Sequence, residues 1–165
     1  MKAILEYKDN RNRINDIFLC DSTINKARNP FFIPDERKWS GMLLYGVRIN
    51  RLGKNIAARY ASLYYTECLS AVHPFVEGDD GTYADRWGFD GALTVSDCSE
   101  ASSLNDNARR DIDLLIEKIS KNTTLKTGDL ILLPAGDTKF EINAPGEDFF
   151  LESACGAPKM KFKVR

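Results

Sequence analysis

The sequence predicts an α+β fold that is rich in strands and carries about two main helices. Three observations point there. Short apolar runs recur along the chain, several with a period of two, and glycine- or proline-bearing turns separate them. Only two stretches carry a helical period instead. The chain has 165 residues, 43% of them hydrophobic, which suits a single domain over 1–165 with a sizeable core.

The expected strands are residues 3–7, 17–20, 31–33, 42–50, 69–75, 92–96, 129–133, 139–142, 148–152 and 160–164. The last alternates Met160, Phe162 and Val164 against Lys161 and Lys163, the pattern of a half-buried strand. "LKTGDLILL" is a turn at Gly128 that feeds an apolar strand, and "APGED" is a turn at Pro145 and Gly146. The first expected helix, 55–68, has Ile56, Tyr60, Leu63 and Tyr64 on one stripe, with Asn55 as N-cap. The second, about 107–121, repeats the pattern with Ile112, Leu115, Ile116 and Ile119, capped by Asn105 or Asp106.

Charge excludes some partners. The 23 basic and 24 acidic residues are interspersed and give a net charge of −1, so no electrostatic case for nucleic acid arises. The lysines at 118 and 121, and the run Lys159, Lys161, Lys163 and Arg165, read as solvated faces. "MKAILEYKDN" is too short and charged for a signal peptide, and no apolar run approaches the roughly 18 residues that span a bilayer. The expected location is the cytoplasm, with no membrane partner. Cys20, Cys68, Cys98 and Cys155 are widely spaced with no CxxC, so each reads as a small buried residue rather than a metal or disulfide ligand.

Few motifs carry chemistry by themselves. "RLGKNIA" has a single glycine and reads as a strand-to-helix turn rather than a phosphate loop. His73 is the lone histidine; it can be paired with Glu77 or Asp79 for acid–base work, or joined with Glu77, Asp79 and Asp80 as a metal site. The plainer reading is a structural histidine before Pro74 and a solvated loop, "EGDDGTYAD". No GxSxG occurs, Cys68 reads as core, and Trp87 and Phe89 read as packing residues.

The stretches "IFLCDSTI", "NPFFIPD", "VRINRLGKNIAARYASLYY", "GFDGALTVSD" and "TLKTGDLILLPAG" carry a further signal. From about Ile17 onward they make the chain resemble the fumarylacetoacetate hydrolase family in its small single-domain form. "VRINRLGKNIAARYASLYY" and "TLKTGDL…PAG" are the most specific, and all occur in the family's order. The resemblance implies a fumarylacetoacetase-like barrel or roll, usually a homodimer. It implies enzymes that cleave or isomerise diketo acids, decarboxylate oxaloacetate, or hydrate and tautomerise 2-oxo acids. Such enzymes hold Mg²⁺, Mn²⁺ or Ca²⁺ on three carboxylates, because a hard cation wants oxygen ligands and stabilises a developing enolate.

Carried over position by position, the family's site is degenerate here. Its Glu-x-Glu pair falls on Met42 and Leu44, its aspartate on His73, and its lysine before the "GFD"-like stretch on Trp87. The lysine of its "FLKP"-like stretch falls on Cys20. The substrate loop before "PAG" is shortened, so Leu133 directly precedes Pro134, Ala135 and Gly136. The N-terminal lid region and the loop around Asp80 and Gly81 are also short; Asp90 of "GFD" is kept.

Methionine and leucine cannot ligate Mg²⁺. The expectation is therefore no metal cofactor and no confident catalytic residue: a pseudo-enzyme, binding or accessory protein that takes a small molecule. It is expected to form a homodimer or to pair with an active paralogue. The alternative is an atypical hydrolase, lyase or tautomerase on a 2-oxo or diketo acid, with acid–base groups rebuilt from His73, Glu77, Asp79, Asp85 or Asp90.

Overall fold

The computed structural model describes residues 1–9, 11–78 and 81–165, and of Thr138 only the backbone. Ten strands are described: β1 (Lys2–Lys8), β2 (Ile14–Cys20), β3 (Ile24–Lys26), β4 (Trp39–Ile49), β5 (Tyr65–Val76), β6 (Leu93–Val95), β7 (Ser99–Glu100), β8 (Leu130–Ile142), β9 (Asp148–Leu151) and β10 (Met160–Lys163). The helices are α1 (Ala58–Ala61), α2 (Tyr83–Trp87) and α3 (Asp106–Ser120). Eight strands form one curled sheet in the order β2-β1-β8-β4-β5-β6-β3, with β7 against β5; β9 and β10 form a separate hairpin. The β1–β8 and β3–β6 pairs are parallel and the others antiparallel. This is the expected α+β roll.

The long central strand β4 shows why the sheet has two lives. Leu43, Tyr45, Val47 and Ile49 point to one face, and Met42 and Leu44 to the other, because successive side chains alternate. On the outer face, Tyr45, Val47 and Ile49 pack under α3 with Ile112, Leu115, Ile116 and Ile119. Trp39, Leu43 and Val72 on that side pack under β9–β10 through Met160 and Phe162. On the inner face, Met42 and Leu44 join Leu5, Ala71, Trp87 and Leu132. Gly46 lets β4 press against β8: a Cβ there would lie 2.0 Å from the Ile131 carbonyl oxygen.

Helix α3 forms as expected, with Asn105 Oδ1 accepting from the Ala108 N–H at 2.8 Å. The helix expected over 55–68 does not. Asn55 has φ of 54°, a left-handed value that cannot start a helix as its N-cap. Only Ala58–Ala61 and a 3₁₀ turn at Ser62–Tyr64 follow, and β5 begins at Tyr65. The helical stripe competes here with the pairing of Tyr65, Glu67 and Cys68 to β4, and the ladder wins. Phe31 makes an isolated bridge with Val164 instead of a strand. Residues expected as two strands, 129–133 and 139–142, are one strand with an irregularity. Leu44 pairs with Pro134 but Met42 with Lys139, so Ala135, Gly136, Asp137 and Thr138 bulge opposite Leu43. Gly136 takes φ of 67° in that bulge.

Candidate functional site

Met42 sits at the middle of a three-strand row. It pairs with His73 of β5 on one side and with Lys139 of β8 on the other. Directly opposed residues of antiparallel strands point to the same face, so all three side chains face inward. Phe75 follows His73 by two residues and shares the face. Helix α2 then lays Trp87 over the row. Its start is a capping box: Thr82 accepts from the Asp85 N–H, and Asp85 accepts from the Thr82 N–H at 2.8 Å.

Met42, His73, Phe75, Trp87, Tyr7 and Lys139 line a cavity of about 280 Å³, together with Glu77, Asp85 and Arg86. His73 and Trp87 stack almost face to face, with centroids 3.8 Å apart and planes 11° apart. Phe75 lies 6.0 Å from His73 and nearly parallel to it, and Tyr7 meets Trp87 edge-on. His73 is 3% exposed, and its Nδ1 lies 2.7 Å from the Ala92 carbonyl oxygen. A carbonyl only accepts, so Nδ1 carries the proton and Nε2 keeps its lone pair. Burial pushes the imidazole down to about 4, so the ring is neutral at pH 7.

The carboxylates of the lining are engaged. Glu77 accepts from Ser40 Oγ at 2.8 Å and pairs with Lys38 at 3.4 Å, and both hold its carboxyl below the usual range. Asp85 is held down by the Thr82 side chain and N–H. Lys139 Nζ lies 5.6 Å from the Phe75 ring centroid and has no ion pair among the described residues.

The other expected positions fall elsewhere. Leu44 is fully buried in the inner core and does not line the cavity. Leu133 pairs with Tyr45 and turns to the outer face; with Pro134 it lines a groove of about 310 Å³ beside α3. Ala135 packs between the two outer cores, and Gly136 is exposed. Of the cysteines expected to be buried, Cys68 is, Cys98 and Cys155 are half-buried, and Cys20 is exposed because it ends β2, with Sγ 3.0 Å from Ser22 Oγ. Asp90 is exposed, and Phe89 packs on Phe31 and Trp39. Cys68 is buried among Ser99, Ser103 and the Glu100 carbonyl. Asp79 and Asp80 lie outside the described residues. Sequence reading missed Lys139, whose alternation with Phe140, Glu141 and Ile142 was its one signal. It also missed α2, which "TYAD" announces as a capping box.

The residues present do not fit Mg²⁺, Mn²⁺ or Ca²⁺. Met42 offers a thioether, Leu44 a hydrocarbon, and His73 a single nitrogen on a ring already stacked and tethered. Among the described residues, no three His, Cys, Asp or Glu side chains converge on one point.

No family model matches the chain, and no curated protein matches it. Solved structures do. The fumarylpyruvate hydrolase from Pseudomonas aeruginosa, in complex with Mn²⁺ and pyruvate, superposes with a TM-score of 0.76 at 12% identity over 99% of this chain and 88% of that one. The maleylpyruvate hydrolase from Sphingobium sp. SYK-6 gives 0.79 at 15% identity over 99% and 69%. A protein named for the fumarylacetoacetate hydrolase family from Yersinia pestis CO92 gives 0.79 at 13% over 99% and 92%. At these identities the likeness is one of fold, and this chain has that fold.

Proposed function

We propose that this protein is a divergent member of the fumarylacetoacetate hydrolase family that has left metal-dependent catalysis and uses the vacated site to bind a small molecule. The observation that carries this reading is the His73–Trp87 stack, which is seated beside Met42 where a hard cation would need oxygen ligands. The acid–base groups support it as well. His73 is a weak base at about 4, and Glu77 and Asp85 are both held low, so none is poised near neutral pH. The alternative, an acid–base enzyme built on His73, lacks that poise.

The test is metal content and turnover together. Purified protein incubated with Mn²⁺ and desalted is expected to hold far less than one equivalent, and to leave oxaloacetate and fumarylpyruvate unchanged above the uncatalysed rate. One tightly held equivalent of Mn²⁺, or turnover lost on His73→Ala, overturns the reading. The same reading takes the protein to be cytoplasmic, as a homodimer or the partner of a carboxylate-bearing paralogue; light scattering and co-purification decide between these. Among the described residues no helix is long and apolar enough to cross a membrane.

A further inference from the structure

If the cavity is a binding site, as the reading above holds, its chemistry selects a ligand class. Three observations narrow it. The floor and walls are rings and a thioether: Trp87, Phe75, Tyr7 and Met42 offer flat, polarisable apolar surface. His73 is the buried polar group of the site, and its Nε2 is a bare acceptor with no partner among the described residues. The fully buried unpaired side-chain atoms among the described residues are Thr94 Oγ1 and Ser153 Oγ, so His73 Nε2 is open to the cavity and can accept from a ligand there. Lys139 is a cation without an ion pair, while Glu77 and Asp85 are satisfied by Ser40, Lys38 and Thr82. Lys139 feels the Glu77 carboxylate but makes no ion pair with it, so its ammonium can still take an anion.

Register sets the spacing. His73 and Lys139 flank Met42 on adjacent strands, so their backbones stand two strand spacings apart, roughly 10 Å. A benzene ring with a donor at one end and an anionic arm at the other bridges that gap over Met42. The volume of about 280 Å³ sits at the small end of ligand pockets, which run from about 300 to 1,000 Å³, and suits one ring rather than a nucleotide.

We propose that the row Lys139–Met42–His73 is the floor of a binding site for a small monocyclic aromatic carboxylate with a hydrogen-bond donor opposite its carboxylate. Lys139 takes the carboxylate, His73 Nε2 accepts from the donor, and the ring lies on Met42 against Trp87.

Calorimetry on the full chain in EDTA tests this with 4-hydroxybenzoate, benzoate and phenol. 4-Hydroxybenzoate is expected to bind at least about tenfold more tightly than either fragment, since each lacks one polar contact worth at least about that factor. Lys139→Met, at an exposed position, weakens 4-hydroxybenzoate about tenfold and leaves phenol unchanged. His73→Phe removes the advantage of 4-hydroxybenzoate over benzoate; a melting curve confirms that both variants are folded. No saturable heat at millimolar probe, equal affinity for all three probes, or no effect of Lys139→Met overturns the proposal while the metal-free reading stands. Binding that appears only when Mn²⁺ replaces EDTA overturns both.

Discussion

Two hollows of nearly equal size, about 280 and 310 Å³, lie on opposite faces of the same strands, and they differ in what their charges are doing. In the outer groove beside α3, Lys118 reaches Glu6 at 2.9 Å and Asp16 at 2.7 Å, so its cation is matched, and the charge without an ion pair among the described residues is the Asp111 carboxylate. Tyr45, Leu115, Leu133 and Pro134 form its floor, and no stack of rings is there. In the inner cavity the aromatic rings are stacked, the histidine is neutral, and the lysine has no ion pair among the described residues. The two faces of one sheet thus carry different chemistry: the outer groove is a seam between helix and sheet, and the inner face is an aromatic cleft.

The strongest way to break this contrast is to put a charge back. Leu44→Glu buries a carboxylate without a partner in the inner core and is expected to cost about 4 kcal/mol or more. Leu114→Glu on the groove side, at a position half exposed, is expected to stay within about 0.5 kcal/mol. Urea unfolding measures both, and similar costs would erase the distinction. Next in size, Trp87→Ala removes the stacked lid of the cavity and is expected to cost about 3 kcal/mol. It should also raise the His73 titration toward its ordinary value as water enters, which NMR of the imidazole follows.

Acidification sharpens the same contrast. His73 is depressed in the folded chain, to about 4 against an ordinary 6.5, so the unfolded chain takes up the proton first as pH falls. Its stabilising contribution is present above pH 6.5 and is lost as pH drops through 4. The loss is about 3 kcal/mol across that window. His73→Gln should flatten this part of the stability curve, and a slope unchanged in the variant would assign the effect elsewhere. The smallest effects come from the caps. Thr82→Ala and Asn105→Ala are each expected to cost about 1 kcal/mol. Only Thr82→Ala should disturb the His73 ring signals, because α2 carries Trp87 and α3 covers the other face.

Much of the frame was legible residue by residue. The Ile112, Leu115, Ile116 and Ile119 stripe gave α3 because helical period and cap agreed. The alternation of β4 placed Met42 and Leu44 on one face. The 55–68 stripe misled because Asn55 turns left-handed and the β4 ladder captures Tyr65 onward, a long-range pairing that no local period reports. Leu133 and Pro134, grouped with the site through the family resemblance, lie on the outer face for a related reason. Strand alternation and the bulge at Ala135 and Gly136 send them outward, and the size of a bulge is not written in a periodicity.

By itself the sequence determined the fold class and the apolar character of Met42 and Leu44, two positions that cannot offer oxygen to a hard cation wherever the chain goes. Only the tertiary structure decided that Lys139 stands across Met42 from His73, that Trp87 closes over the imidazole, and that Ala92 fixes its tautomer. These residues lie far apart along the chain, and register between strands, a property of the whole sheet, brings them to one place.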